Sequence, residues 1–223
     1  MPKSGFPCAG AWLAILLCAR AEAGGIVEGV VTLPTAKAAP PSAASRYPGT
    51  ATPANYTNTA PNPAVAGVYL EGTAKAAPDP NKVYEMGQRH FQFVPSFLIV
   101  PKGARVNFPN YDNDYHNVFS YSKAKEFDLG RYRKEEKPPI MIFDKAGVVE
   151  INCEIHEHMH GTILVVDTPW FASTDADGSG KFHLENVPPG NYTLKAWISQ
   201  KQLLSQPVEV KEGQTTTVAL TGK

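Results

Sequence analysis

VVEINCEIHEHMHGTILVVD (residues 148–167) decides how the rest of the chain is read. Its first part alternates apolar and polar residues, and its last part, GTILVVD (161–167), is an almost unbroken apolar run. Alternation marks a half-buried strand, and the short apolar run reads as a fully apolar strand. Between them stand Cys153, His156, His158, Met159 and His160. Two strands thus bracket a short loop crowded with side chains that can ligate a metal.

Working outward, the same texture continues upstream. HFQFVPSFLIVPKGARVNFPNYD (90–112) alternates apolar and polar residues, with Pro95, Pro101 and Gly103 as punctuation. HNVFSYS (116–122) and PPIMIFDKAGVVEINC (138–153) add further strands, the latter two around a Lys145–Gly147 turn. No window of comparable length has helical periodicity, and 20 prolines with 18 glycines favour short strands and turns. The chain is therefore expected to be all-β. Four segments emerge: 1–23, 24–82, 83–167 and 168–223. The second holds strand-like stretches at 25–33 and 65–71. Between these, residues 34–64 are rich in Pro, Ala, Ser, Thr and Asn, a composition that cannot bury a core. Asn55 begins an N-x-T triplet of the kind that accepts a glycan in exported proteins.

The first segment reads as an export signal. Lys3 supplies a positive start, AWLAILLCA (11–19) is apolar but too short to span a bilayer, and AEA (21–23) fits a small-x-small cleavage site. An uncleaved anchor is the alternative. Leu17 before Cys18 is too bulky for a lipidation site. Cleavage near Gly24 removes Cys8 and Cys18 and leaves Cys153 alone, so no internal disulfide can form. A lone exported thiol is exposed to oxidation unless something occupies the sulfur. The formal net charge is zero, with no block of like charge, which argues against nucleic acid as a partner. The expected location is periplasmic or secreted.

Cys153, His156 and Met159 are spaced i, i+3, i+6, and His116 opens an upstream strand. A thiolate, two imidazoles and a thioether form a soft donor set. It suits copper, in the arrangement of two His, one Cys and a weak axial Met, and does not suit calcium or magnesium. A buried apolar cysteine beside a polar loop would present the same letters.

The resemblance at this point is to the cupredoxin, or blue-copper, family. FVPSFLIVPKGARVNFPNYDNDYHNVFS (93–120) resembles the family's apolar strand, glycine turn, F-x-N strand and first histidine ligand, and the likeness covers residues 88–166. CEIHEHMHG (153–161) resembles the ligand loop of amicyanin, although Ile155 and Glu157 stand where amicyanin has prolines. VYLEG, FPNYDNDYHNVFS, FDLGRY, CEIHEHM, VVDTPWF, TDADGSGKF and VPPGNY resemble the plastocyanin-like group labelled methylamine utilization proteins. The resemblance implies a Greek-key cupredoxin β-sandwich or barrel. It also implies one type 1 copper site held by His116, Cys153, His156 and Met159, with Asn117 tying the two ligand segments together behind the metal.

His158 and His160 are open to a second, competing metal site, and are expected instead as loop or strand-edge neighbours. His90 and His183 are read as structural residues on strands. TDADGSGKFHLENVPPGNYTLKAW (174–197) resembles the carboxypeptidase regulatory-like domain, a small transthyretin-like β-sandwich, and reads as three successive antiparallel strands. Asp175 and Asp177 alternate as calcium ligands would, but Asn186 stands where an EF-hand glutamate is required, so a hairpin is expected. Such a sandwich normally begins with strands like VEGVVTL (27–33) and GVYLEG (67–72), which here precede the copper module. Insertion of one module into the other and a tandem order both remain open.

The function this implies is transfer of single electrons by an exported copper protein. Its partner would be a redox protein, such as a c-type cytochrome or a periplasmic dehydrogenase. Copper storage or delivery is the alternative, and a structural or adhesion role is a third. No Ser-His-Asp or paired-carboxylate arrangement stands out, so an enzyme is not expected.

Overall fold

The structure, a computed structural model, describes residues 24–34, 64–199 and 202–222. The export-signal reading, the Asn55 triplet and most of the Pro/Ala-rich stretch fall outside these residues. The described chain is all-β: it forms seventeen strands and no helix.

Two strands come first, β1 (Gly25–Val31) and β2 (Gly67–Glu71). Ten follow: β3 (Val83–Glu85), β4 (Gly87–Arg89), β5 (Gln92–Val94), β6 (Phe97–Pro101), β7 (Ala104–Asn107), β8 (His116–Ser122), β9 (Lys125–Tyr132), β10 (Met141–Phe143), β11 (Gly147–Asn152) and β12 (His160–Val166). Five complete the fold: β13 (Phe171–Ser173), β14 (Lys181–Val187), β15 (Gly190–Ser199), β16 (Gln202–Val210) and β17 (Thr215–Leu220).

The middle strands build one core. Its five-stranded sheet runs β6-β12-β11-β8-β9, its three-stranded sheet runs β10-β7-β3, and β4 and β5 form a separate hairpin. Phe93, Phe108, Phe143, Val149, Ile151 and Ile163 fill the space between them, with Cys153 and Met159 in the same buried cluster. The outer strands build a second core from two sheets, β14-β1-β17 and β13-β2-β15-β16. β1 lies between β14, antiparallel, and β17, parallel. β2 lies between β13 and β15. The two N-terminal strands are thus central members of sheets otherwise made from residues beyond 170.

The apolar run of β12 has a simple cause. Successive strand side chains point to opposite faces. Ile163 and Val165 enter the first core, while Leu164 and Val166 point the other way into a third cluster with Phe97 and Ile99 of β6. Trp197, Tyr69 and Phe171 of the outer sheets cover that cluster. Burying each large side chain there is worth about 1.5–3 kcal/mol.

Two expectations need correction. Asp177-Gly178 does not close a hairpin: β13 pairs with β2 and β14 with β1, so the turn carries the chain from one sheet of the sandwich to the other. The three strands β13, β14 and β15 are accordingly not neighbours in order. The turn chemistry is local, whereas the choice of sheet follows which face each strand must bury. The two strands expected around the Lys145–Gly147 turn are present as β10 and β11, the first pairing with β7 and the second with β12. His90 is not on a strand but in the β4–β5 turn with φ 53°. His183 is on β14, flanked by Glu28 at 3.3 Å and Glu185 at 3.0 Å.

Candidate metal centre

The loop from Cys153 to Met159 crosses one end of the five-stranded sheet. Its base is set where β11 and β12 pair at Asn152 and His160, whose side chains also meet at 2.9 Å (Nδ1 to Oδ1). Within the loop the Met159 N–H donates to the His156 carbonyl at 2.9 Å, a tight turn that brings both ends of the ligand segment together. β8 starts at His116 beside this loop, since β8 and β11 are neighbours in the sheet.

Three donor atoms converge as a result. One ligand atom each from His116, Cys153 and His156 lie within 4.8 Å of one another. The Nδ1 atoms of His116 and His156 are 3.0 Å apart, and Cys153 Sγ is 3.8 Å from His156 Nδ1. Ligands bound at about 2.0 Å (N) and about 2.3 Å (S) around one ion lie roughly 3.3–3.8 Å from each other, so the residues present fit a single metal. Cys153 and His116 are buried and His156 is half-buried. Met159 is 1% exposed and shares the buried cluster of Cys153. His158 is half-buried, its ring 6.2 Å from that of His156, and His160 is exposed at the start of β12. Neither joins the convergent set.

Tautomer and orientation are imposed from behind. The Nε2–H of His116 donates to Asp112 Oδ2 at 2.9 Å, because a carboxylate can only accept. That turns Nδ1 toward Cys153 and His156. A carboxylate behind a ligating histidine is a common means of fixing its ring and raising its basicity. Burial disfavours charge on His116, but Asp112 and the Cys153 sulfur outweigh it and push its pKa up to about 9. Burial pushes the Cys153 thiol up, yet the two imidazoles and the N–H groups of Asn117 and His156 prevail and bring it down to about 6. Each of the two groups thus favours the charged form of the other, and metal bound there would compete with their protons.

Asn117, 1% exposed, bridges the two segments. Its Nδ2 donates to Asp128 Oδ1 at 2.7 Å and to the Gly130 carbonyl at 3.2 Å, and its Oδ1 accepts the Glu154 N–H at 3.3 Å. The residue after the thiolate is thereby held to the strand that begins with the first histidine.

Two contributors escaped the sequence reading. Asp112 was legible in principle, as an acid four residues before His116 in DNDYH. Phe91 was not. Its ring lies 5.4 Å from that of His116 and 4.9 Å from that of His156, perpendicular to both, and nothing in RHFQ marks it.

The chain is similar to known proteins over parts of its length. Residues 173–218 match the family described as polysaccharide lyase family 4, domain II. That name differs from the carboxypeptidase regulatory-like resemblance of the same segment. No curated protein matches the chain. Among solved structures, a Cu-containing nitrite reductase (NirK) from Thermus scotoductus SA-01 is 22% identical with a TM-score of 0.37. It is matched over 44% of this chain, which spans only 25% of the reductase. A reduced Cu(I) form of an amicyanin variant at pH 4 is 18% identical with a TM-score of 0.35, matched over 44% of this chain and 98% of its own. An oxidized amicyanin variant is likewise 18% identical, with a TM-score of 0.36 over the same shares.

Proposed function

We propose that the chain is an exported type 1 copper protein that carries single electrons, with His116, Cys153 and His156 as the strong ligands and Met159 as a weak thioether donor. The observation that supports this best is the convergence of one thiolate and two imidazole nitrogens within 4.8 Å at a buried loop end. Bound copper would supply a one-electron couple whose potential responds to the thioether donor and to hydrogen bonding at the thiolate sulfur. The chain's own part is to hold the donors in one geometry for both oxidation states. Asp112 fixes the ring of His116, Asn117 fixes the loop, and the N–H groups of Asn117 and His156 point at the sulfur. Four protein donors leave no position for a substrate, which favours a carrier over a catalyst. Half-buried His156 is the edge through which an electron would pass. The partner would be a redox protein of the same compartment, a c-type cytochrome or a periplasmic dehydrogenase. Export rests on the first 23 residues.

The test is to load the mature protein with Cu(II) and record visible absorption and electron paramagnetic resonance. An intense thiolate-to-copper band with narrow hyperfine splitting is expected, absent in Cys153→Ser and nearly unchanged in His158→Ala. A colourless protein that holds Zn(II) equally well would overturn the assignment.

A further inference from the structure

The turn that carries Phe91 is built against the preference of its own sequence. His90 and Phe91 have φ of 53° and 58°. Two successive residues with positive φ in a tight hairpin connection are the province of Asn-Gly and similar pairs, whose side chains tolerate that region. For a residue with a Cβ, and above all for a bulky Phe, that region is sterically disfavoured and persists only where the surroundings impose it.

One carboxylate holds both residues of the turn. The Oδ1 of Asp112 accepts the N–H of His90 at 2.7 Å, and its Oδ2 accepts the N–H of Phe91 at 2.9 Å. The same Oδ2 accepts Nε2–H of His116. Asp112 is itself positioned, since its N–H donates to Asn110 Oδ1 at 2.8 Å. The Asn110 amide in turn donates to the Tyr132 carbonyl at 3.0 Å and the Asp114 carbonyl at 2.9 Å. A single side chain therefore ties a strained turn to the orientation of a buried imidazole. The product of the strain is the position of the Phe91 ring, edge-to-face with both His116 and His156 at an interplanar angle of 86° in each case.

We propose that Phe91, held down by Asp112, closes the histidine side of the metal centre, excluding small external ligands and slowing metal loss. Asp112 is the positioning residue that couples this closure to the ring of His116. The inference rests on the metal-binding reading above. It adds to it a device for access, carried by a hairpin that contributes no ligand.

The experiment uses the full mature chain loaded in turn with Cu(II) and Zn(II). Azide is titrated into the Cu(II) form while the visible spectrum is recorded, and transfer of Zn(II) to a chromogenic chelator is timed. Wild type is expected to ignore azide. Phe91→Ala is expected to respond to it and to surrender Zn(II) about 10- to 100-fold faster, the range seen when groups supporting metal ligands are removed. Phe91→Leu, which restores apolar bulk, is expected to return most of the closure. Amide hydrogen exchange supplies a metal-free readout: Asp112→Asn should speed exchange at the His90 and Phe91 amides while strands β11 and β12 stay protected. Phe91→Ala with wild-type transfer rate and no azide response overturns the closure while leaving the metal site standing. Unchanged exchange in Asp112→Asn overturns the clasp. Wild type that takes up neither ion overturns the metal reading and the closure with it.

Discussion

The indole of Trp197 lies flat on the ring of Phe97, centroids 5.5 Å apart and planes within 12°. One residue belongs to β15 of the outer sheets and the other to β6 of the middle sheets, so this stack joins the two cores. Trp197→Ala is expected to cost about 2–4 kcal/mol in denaturant unfolding, shifted below the usual range for fully buried large aromatics because Trp197 is half-buried. The loaded protein's visible spectrum should be nearly unchanged, since the stack touches none of the proposed ligands. A loss of stability under 0.5 kcal/mol would show that the interface is not cooperative with the cores.

We propose that residues 24–33 and 67–71 fold as one unit with residues 168–223. β1 is the middle strand of its sheet, so its removal leaves β14 and β17 without a shared neighbour. A chain lacking residues 24–33 is expected to lose the cooperative melt of the outer sandwich, followed by far-ultraviolet circular dichroism. A 168–223 fragment that melts cooperatively by itself would refute the single unit.

The contact of β1 with β17 is also close enough to specify one residue. A Cβ at Gly29 would sit 1.8 Å from the Val218 carbonyl oxygen, a backbone atom that cannot step aside without moving its strand. Gly29→Ala should therefore destabilise the chain by more than about 3 kcal/mol, although alanine is otherwise a mild change. A melting temperature within a few degrees of wild type would contradict the parallel pairing of these strands.

Asn117 makes three hydrogen bonds that span β8, β9 and the ligand loop. Asn117→Ala leaves the Glu154 N–H without its partner, and about 1–3 kcal/mol of stability should be lost. Under the proposed function the thiolate band of the Cu(II) form should also shift, because the loop residue beside Cys153 is released. A full loss of stability with an unmoved spectrum would make Asn117 structural only.

In the metal-free protein Cys153 ionises at about 6, below its ordinary 9.0, and His116 at about 9, above its ordinary 6.5. The Cys153 contribution to stability is complete above 9.0 and is lost as pH falls through about 6. That of His116 is complete below 6.5 and is lost as pH rises through about 9. The two slopes oppose each other between 6.5 and 9, so this pair should leave stability nearly flat there. Thiolate absorbance should nevertheless rise with a midpoint near pH 6, move toward 9.0 in denaturant, and vanish in Cys153→Ser. A native midpoint above 8 would mean that the imidazoles do not act on the sulfur.

The sequence by itself determined what local patterns can encode. Period-two alternation and turn residues identified an all-β chain, and the offsets of Cys153, His156 and Met159 placed three donors on one short loop. It also showed GTILVVD as apolar on both faces. What covers each face was decided by the tertiary structure, because Leu164 and Val166 meet Trp197 and Tyr69 only after β2 and β15 have paired across more than a hundred residues. The same holds for the order of the outer strands. Turn chemistry at Asp177-Gly178 states that the chain reverses but not which sheet receives the next strand. At the centre itself, Asp112 and Phe91 reach His116 from a loop and a hairpin. Their roles rest on hydrogen bonds and ring contacts between separate segments, which no spacing within one segment can express.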